Sequence, residues 1–175
     1  RILTLRFDTV KITGRTVSTR EVVEHPGAVV IAPVLPDGRI LLVRQYRYPI
    51  SKFTWELPAG TLHKGENVKS CACRELEEET GFRARIMKRV FGFHQAPGYS
   101  TEYLHVFTAG GLTKTAQKFD FDETITNVRP FSAKSVLRMA REGKISDAKT
   151  ILSVLFLKEL NILSPIGKGG LGGFN

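Results

Sequence analysis

The chain has 175 residues, of which 42% are hydrophobic and 25% charged, a composition typical of one globular domain with a sizeable core. It contains no apolar run of about 18 residues, the length that a membrane span needs, so we expect no membrane insertion. The net charge of +9 fits either an anionic partner or a solvated basic surface, but nucleic acid is disfavoured because the basic residues are scattered and no aromatic residues alternate with them.

Strands are predicted along the first third of the chain. Residues 1–23 alternate apolar and polar side chains, which predicts two antiparallel strands. Residues 28–35 and 39–46 are apolar and flank the turn sequence Pro-Asp-Gly, which predicts a hairpin. The segment FTWEL is predicted as a short strand that ends at Pro58, and residues 59–66, with two glycines, are predicted as a loop.

A helix is predicted over residues 67–80, with Gly81 as its C-terminal cap. Cys71 and Cys73 would lie about 200° apart around this helix and could not form a disulfide, which favours a reducing compartment and hence the cytoplasm. The segments RARIMKRVFGF and TEYLHVFTA are predicted as two further strands, and residues 110–124 as a polar loop.

Two more helices are predicted toward the C-terminus. The first is capped by Ser132 and ends at Gly143. The second is capped by Asp147 or Ser146 and runs to about Asn161. Together the elements predict an α+β protein, in which helices pack on a mixed sheet as an α/β/α sandwich after a pair of N-terminal antiparallel strands.

The segment RELEEETGF concentrates acidic residues on the first predicted helix. At 100° per residue, Glu75, Glu78 and Glu79 share one face of about 100°, whereas Glu77 lies on the opposite side. That acidic face overlaps the apolar stripe expected to pack on the sheet, formed by Val68, Ala72 and Leu76. The three carboxylates are therefore expected at the edge of the core.

Carboxylates at the edge of a core are costly unless cations offset their charge. Arg74 can reach Glu78, but no basic residue three or four positions away serves Glu75, and Glu79 has only Arg83, beyond the helix end. A hard divalent cation such as Mg²⁺ would supply the missing charge. The alternative from this helix alone is a solvated, salt-bridged face.

Residues 60–82, GTLHKGENVKSCACRELEEETGF, fit the pattern G-x5-E-x7-R-E-U-x-E-E-x-G-U at every fixed position, where U is apolar. The chain thus resembles the Nudix hydrolases, which use divalent metal to cleave nucleoside diphosphates linked to another moiety. The segments VRQYRYP, WELPAG and APGYSTE resemble the ADP-ribose pyrophosphatase branch of that family. Pro97, which lies 16 residues after Gly81, resembles a proline of the same branch.

The resemblance implies a metal site for Mg²⁺, with Mn²⁺ as the alternative. Glu75, Glu79 and the carbonyl of Ala59 would be metal ligands, and Glu78 would be a third ligand or would position water. Gly60 would let the loop turn tightly and Arg74 would pair with Glu66. The residues expected to hold the loop and helix in place are Gly60, Glu66, Arg74 and Gly81.

The resemblance also implies a general base and substrate-binding residues. The base is expected from an acidic loop after the sheet, where the best candidate is Glu123 and the alternatives are Asp120 and Asp122. Arg20 and Arg47 are expected to hold the substrate, because a planar guanidinium suits phosphate and ribose oxygens. Glu56 is expected either to accept from an adenine amine or to pair with an arginine.

The implied reaction is metal-dependent hydrolysis of ADP-ribose to AMP and ribose 5-phosphate. The branch typically forms homodimers that exchange N-terminal strands, so we divide the chain into dimer-forming strands (1–25), a Nudix domain (26–162) and a glycine-rich tail (163–175). Two alternatives stay open. One is the same chemistry on ADP-glucose, GDP-mannose or an oxidised nucleotide. The other is a non-catalytic nucleotide-binding module, which is disfavoured because residues 60–82 fit the family pattern at every fixed position.

Overall fold

The computed structural model describes residues 3–115 and 125–163. The predicted base candidates Glu123, Asp120 and Asp122, and the tail from residue 164, lie outside these ranges. The strands and α-helices of the described ranges are β1 (Thr4–Ile12), β2 (Thr16–Glu24), β3 (Ala28–Pro33), β4 (Ile40–Arg47), β5 (Lys52–Glu56), β6 (Ala59–Thr61), α1 (Val68–Thr80), β7 (Phe82–His94), β8 (Tyr103–Lys114), β9 (Ile125–Phe131), α2 (Ala133–Arg141) and α3 (Ala148–Glu159).

The strands form three sheets. The central sheet has the order β6-β3-β8-β7 and is mixed, because β3 and β8 are parallel while the other pairs are antiparallel. A second, antiparallel sheet has the order β5-β4-β9, and β1 and β2 form a separate two-stranded sheet. The predicted α+β class and the N-terminal antiparallel strands are confirmed, although the strands divide between sheets.

Alternation along β3 divides the core into two layers. Val29 and Ile31 point to the face on which α1 packs with Cys71, Ala72 and Leu76. The intervening residues of β3 point to the other face, where the second sheet and helices α2 and α3 lie. Because β3 is buried on both faces, its side chains are apolar throughout rather than alternating with polar ones.

The predicted hairpin between β3 and β4 is wrong beyond its turn. The turn forms, since the Leu35 N–H donates to the Arg39 carbonyl at 2.8 Å. Pairing stops at a single bridge between Val34 and Ile40, after which the two strands enter different sheets. β3 finds β6 and β8 as neighbours, whereas β4 finds β5 and β9. The apolar runs on either side of the turn therefore identified both strands but not their partners.

Three strand segments were not predicted. Residues 59–61, predicted as loop, form β6 and pair with β3. Residues 110–114, also predicted as loop, extend β8 alongside β7. The strand β9 was not predicted, and it completes the second sheet beside β4. Their pairing rests on backbone hydrogen bonds to distant strands, which local composition does not encode.

The predicted helix caps are confirmed. Gly81 ends α1 with the positive φ of 71° that favours glycine. Ser132 caps α2, and Asp147, not the alternative Ser146, caps α3. Asn67 caps α1 through its side-chain oxygen. Within residues 3–115 and 125–163, no helix is both long enough and apolar enough to cross a membrane.

Thr150 joins α3 to the end of β5 through its fully buried hydroxyl. This hydroxyl donates to Asp147 Oδ2 at 2.5 Å and accepts from the buried Leu57 N–H at 2.8 Å. We expect Thr150→Val to lower the free energy of unfolding by about 1–3 kcal/mol, because it leaves the Leu57 N–H buried and unpaired. Urea denaturation measures the change.

Thr150→Ser is the matched control, because it keeps the hydroxyl and removes one methyl group. A Thr150→Val variant no less stable than Thr150→Ser would contradict this account.

Candidate active site

The acidic face of α1 is buried where the helix meets the central sheet. Glu75 and Glu79 are only 6% and 1% exposed, and Glu78 is half-buried. Glu77, placed on the opposite side by the helical wheel, pairs through both carboxylate oxygens with Arg83 at 2.8 Å. The predicted position of the acidic face at the edge of the core is therefore confirmed. Arg83, the one basic residue that the sequence offered near Glu79, bonds Glu77.

The buried carboxylates lie against the backbone of β6. A Cβ atom added at Gly60 would lie 1.9 Å from Cδ of Glu75, so the carboxylate occupies the space that any larger residue would need. At the neighbouring residue, the Ala59 N–H donates to Glu79 Oε2 at 3.2 Å. Two predicted metal-ligand carboxylates thus meet the Ala59–Gly60 backbone at one place.

Arg74 connects three carboxylates around this place. Its Nε and Nη2 donate to the two oxygens of Glu66 at 2.9 and 3.0 Å. Its Nη1 donates to Glu75 Oε1 at 2.6 Å and to Glu78 Oε2 at 2.9 Å. The predicted contact between Arg74 and Glu66 is present. Helical spacing considers partners three or four residues away, so it did not predict that Arg74 would bond the adjacent Glu75.

Glu66 and Glu75, which both accept hydrogen bonds from Arg74, have pKa values shifted in opposite directions. The Arg74 hydrogen bonds are the main cause that lowers the pKa of Glu66 to about 2. Burial raises the pKa of Glu75 despite the charge of Arg74. The Glu75 site therefore disfavours its own negative charge, and an added cation would relieve that cost.

The donor set at β6 and α1 fits a hard divalent cation. Carboxylate oxygens are ligands that Mg²⁺ prefers, and Glu75 and Glu79 supply them from adjacent turns of one helix. Within the described part of the chain, no group of three Asp, Glu, His or Cys side chains has the geometry to hold a metal ion. Because Arg74 holds Glu75 and Glu78, a cation at this place would share or displace those hydrogen bonds.

Two cavities with shared lining residues lie near the Ala59–Gly60 backbone. The smaller, of about 200 Å³, is lined in part by Ala59 and Gly60. The larger, of about 380 Å³, is lined in part by Glu56 and the 3₁₀ turn after β4. The two cavities share four lining residues, which are Arg47, Gln95, Asp147 and Lys149. A ligand could therefore extend from the acidic site past these side chains.

An ionic cluster of Arg47, Glu56, Asp147 and Lys149 lines the larger cavity, and three of its members also line the smaller one. Arg47 donates through Nε and Nη2 to the two oxygens of Glu56 at 2.9 and 2.7 Å. Lys149 Nζ donates to Glu56 Oε2 and, at 2.8 Å, to Asp147 Oδ1. Burial alone would raise the pKa of Glu56, but the hydrogen bonds and charges of both cations outweigh it and lower the pKa. For Glu56, the contacts match the alternative of pairing with an arginine.

The structure brings together some of the predicted substrate residues but not all of them. Arg47 lies at the cavities, whereas Arg20 lies on β2, in the two-stranded sheet. Among the described residues, the Arg20 side chain bonds only locally, to Ser18 Oγ at 2.7 Å and the Thr19 carbonyl at 3.1 Å. Lys149 was missed, since its contact with Glu56 spans 93 positions and the sequence signal at that point is only a helix start.

Comparisons with known proteins agree with this site. A family model described as NUDIX domain matches residues 23–153. The chain is 37% identical to a methanol dehydrogenase activator of Bacillus methanolicus and 35% identical to an ADP-ribose pyrophosphatase of Bacillus subtilis. Each match covers 90% of this chain and 86% of the relative. The chain therefore belongs to the Nudix family.

A solved structure supports the fold independently. The chain superposes on a crystal structure of an ADP compounds hydrolase with a TM-score of 0.71, covering 91% of this chain and 94% of the other. The two sequences are 19% identical, so this likeness concerns the fold. The predicted Nudix-type fold is confirmed.

Gly60→Ala tests the close packing at β6. The added methyl group would overlap the Glu75 carboxylate and force the helix or the strand to move. We expect a loss of about 1–3 kcal/mol in the free energy of unfolding, measured by urea denaturation with chelator present. Gly98→Ala is the matched control, because a Cβ atom there meets no atom within 4 Å. Equal stability of the two variants would refute the packing argument.

The lowered pKa of Glu66 predicts a pH-dependent contribution to stability. Its folded pKa of about 2 lies below the ordinary value of 4.5, so the contribution is complete above about pH 4.5 and is lost as the pH falls toward 2. We expect Glu66→Gln to be less stable than wild type at pH 7 in EDTA, and the difference to shrink as the pH falls. Urea denaturation at pH 7, 5, 4 and 3 measures this difference, with the exposed Glu159→Gln as control. A difference independent of pH would exclude the ion pair as its source.

Proposed function

We propose that this protein hydrolyses the diphosphate of ADP-ribose to AMP and ribose 5-phosphate with a bound divalent cation. One observation carries the proposal: the buried carboxylates of Glu75 and Glu79 contact Gly60 and Ala59, which line a cavity together with Arg47 and Lys149. An acidic group that suits a cation thus lies beside a basic group that suits a diphosphate. The name of the Bacillus subtilis relative, an ADP-ribose pyrophosphatase, supports an ADP derivative as substrate.

We assign the metal site to Glu75, Glu79 and the Ala59 carbonyl, with Mg²⁺ as the ion and Mn²⁺ as the alternative. When bound, such an ion neutralises charge on the diphosphate and activates water for attack on phosphorus. The chain's own part is to fix the ligands. The Ala59 N–H orients the Glu79 carboxylate, and the tight contact with Gly60 fixes that of Glu75.

Two further carboxylates complete the proposed chemistry. Glu78, which is half-buried and bonded to Arg74, is the proposed third ligand or water-orienting residue. A general base activates the attacking water by accepting its proton. We keep Glu123 as the proposed base, with Asp120 and Asp122 as alternatives; all three lie outside the described residues.

Arg47 is the proposed substrate arginine. Its Nε and Nη2 hold the Glu56 carboxylate, while Nη1 makes no hydrogen bond within the described ranges. The guanidinium is thereby fixed in one plane and retains donors for a phosphate oxygen. In this arrangement Glu56 contributes to substrate binding by holding Arg47.

We propose that the protein acts as a homodimer in the cytoplasm. The first two strands expose large apolar side chains, among them Leu5, Phe7 and Val17. A second copy packed on these strands would cover them and would bring Arg20 to the partner's site. Both cysteines are free thiols, which supports a reducing compartment.

The test is hydrolysis of ADP-ribose with Mg²⁺, resolving products by chromatography. Wild type should yield AMP and ribose 5-phosphate, EDTA should abolish turnover, and Glu79→Gln should lower kcat by at least about 100-fold. Glu77→Gln is the matched control on the same helix, because Glu77 pairs with Arg83 on the other side.

The alternatives give different outcomes in the same assay. Cleavage of ADP-glucose, GDP-mannose or an oxidised nucleotide, without cleavage of ADP-ribose, would keep the chemistry and change the substrate. Binding of nucleotide without cleavage of any diphosphate would indicate a non-catalytic module.

A further inference from the structure

Lys149 is a cation in an unfavourable position. It is the second residue of α3, where the positive end of the helix dipole disfavours positive charge. Its side chain is only 12% exposed, so its ammonium group has also lost most of its hydration. A residue that carries both costs needs a compensating role.

The two carboxylates that Lys149 contacts also have other hydrogen-bond partners. Glu56 is already bonded through both oxygens to Arg47. Asp147 uses its Oδ2 to accept from the N–H and hydroxyl of Thr150, so its capping bond does not depend on Lys149. Both carboxylates would keep partners without the lysine.

The position of Lys149 relative to the cavities suggests what the role is. Together with Arg47 it lines both cavities, including the smaller one, which reaches Ala59 and Gly60. Glu56 and Asp147 take two of its ammonium protons, and an ammonium group has three. Two cations, each held by a buried or half-buried carboxylate, therefore face the space beside the acidic site.

We infer that Lys149 is a second substrate-binding cation, which acts with Arg47 on the phosphate groups of the substrate. The identity of that substrate rests on the proposed function. Because Glu56 and Asp147 hold both cations in place, little side-chain entropy is lost when an anion binds. Lys149 thus contributes to affinity for the diphosphate, whereas Glu75 and Glu79 contribute to the chemical step.

The test compares Lys149→Met, Lys149→Arg and, as matched control, Lys158→Met, which changes an exposed lysine of the same helix. Loss of one charged hydrogen bond should raise the KM for ADP-ribose by about 10-fold in Lys149→Met, with a smaller change in kcat. Lys149→Arg should recover most of the affinity, because it keeps the charge, and Lys158→Met should match wild type.

Binding of ADP without Mg²⁺, measured by calorimetry, gives a readout that does not depend on turnover. We expect Lys149→Met to bind ADP about 10-fold more weakly than wild type. If wild type fails to cleave ADP-ribose but this difference is found, the proposed function fails and the role of Lys149 stands. If Lys149→Met does not fold, Lys149→Gln replaces it.

Two results would overturn the inference. In the first, Lys149→Met has a lower urea midpoint but unchanged ADP affinity and KM, which would make Lys149 a structural ion pair. In the second, wild type does not bind ADP at all, which would leave the two cations without an anionic ligand of this class.

Discussion

The burial of two carboxylates at the junction of α1 and β6 is the constraint on which the rest of the structure depends. Glu75 and Glu79 lie on the face of α1 that packs on the sheet, so the helix cannot bury its apolar stripe without burying them. Three features offset the cost. Arg74 donates to Glu75, the Ala59 N–H donates to Glu79, and Gly60 leaves room for a carboxylate where another residue would place a methyl group.

The same arrangement, a carboxylate held by an arginine through two hydrogen bonds, occurs twice, once beside the acidic residues of α1 and once beside the substrate cations. In the first, Arg74 holds Glu66, and thereby joins the loop before α1 to the helix. In the second, Arg47 holds Glu56. Such paired bonds fix both position and plane, which one bond from a lysine would not do.

What could be predicted from the sequence was mostly local. The helical wheel placed Glu75 and Glu79 correctly, because 3.6 residues per turn fixes side-chain direction without knowledge of the fold. Caps at Gly81 and Asp147 were equally local. The partners of β3 and β4 were not predictable, because each strand satisfies its backbone with distant segments. The contact of Lys149 with Glu56 was hidden for the same reason, since only the folded chain brings positions 93 residues apart together.

The charge distribution around the cavity explains why a protein with net charge +9 concentrates acid in its functional site. The basic surface attracts anionic substrates at long range, but attraction alone would not hold a diphosphate in a reactive position. On the proposed function, a divalent ion binds Glu75 and Glu79, and the diphosphate binds Arg47 and Lys149, which line a cavity together with Ala59 and Gly60. The ion and the diphosphate attract each other, so each lowers the electrostatic cost of binding the other. Metal and substrate should therefore bind with positive coupling.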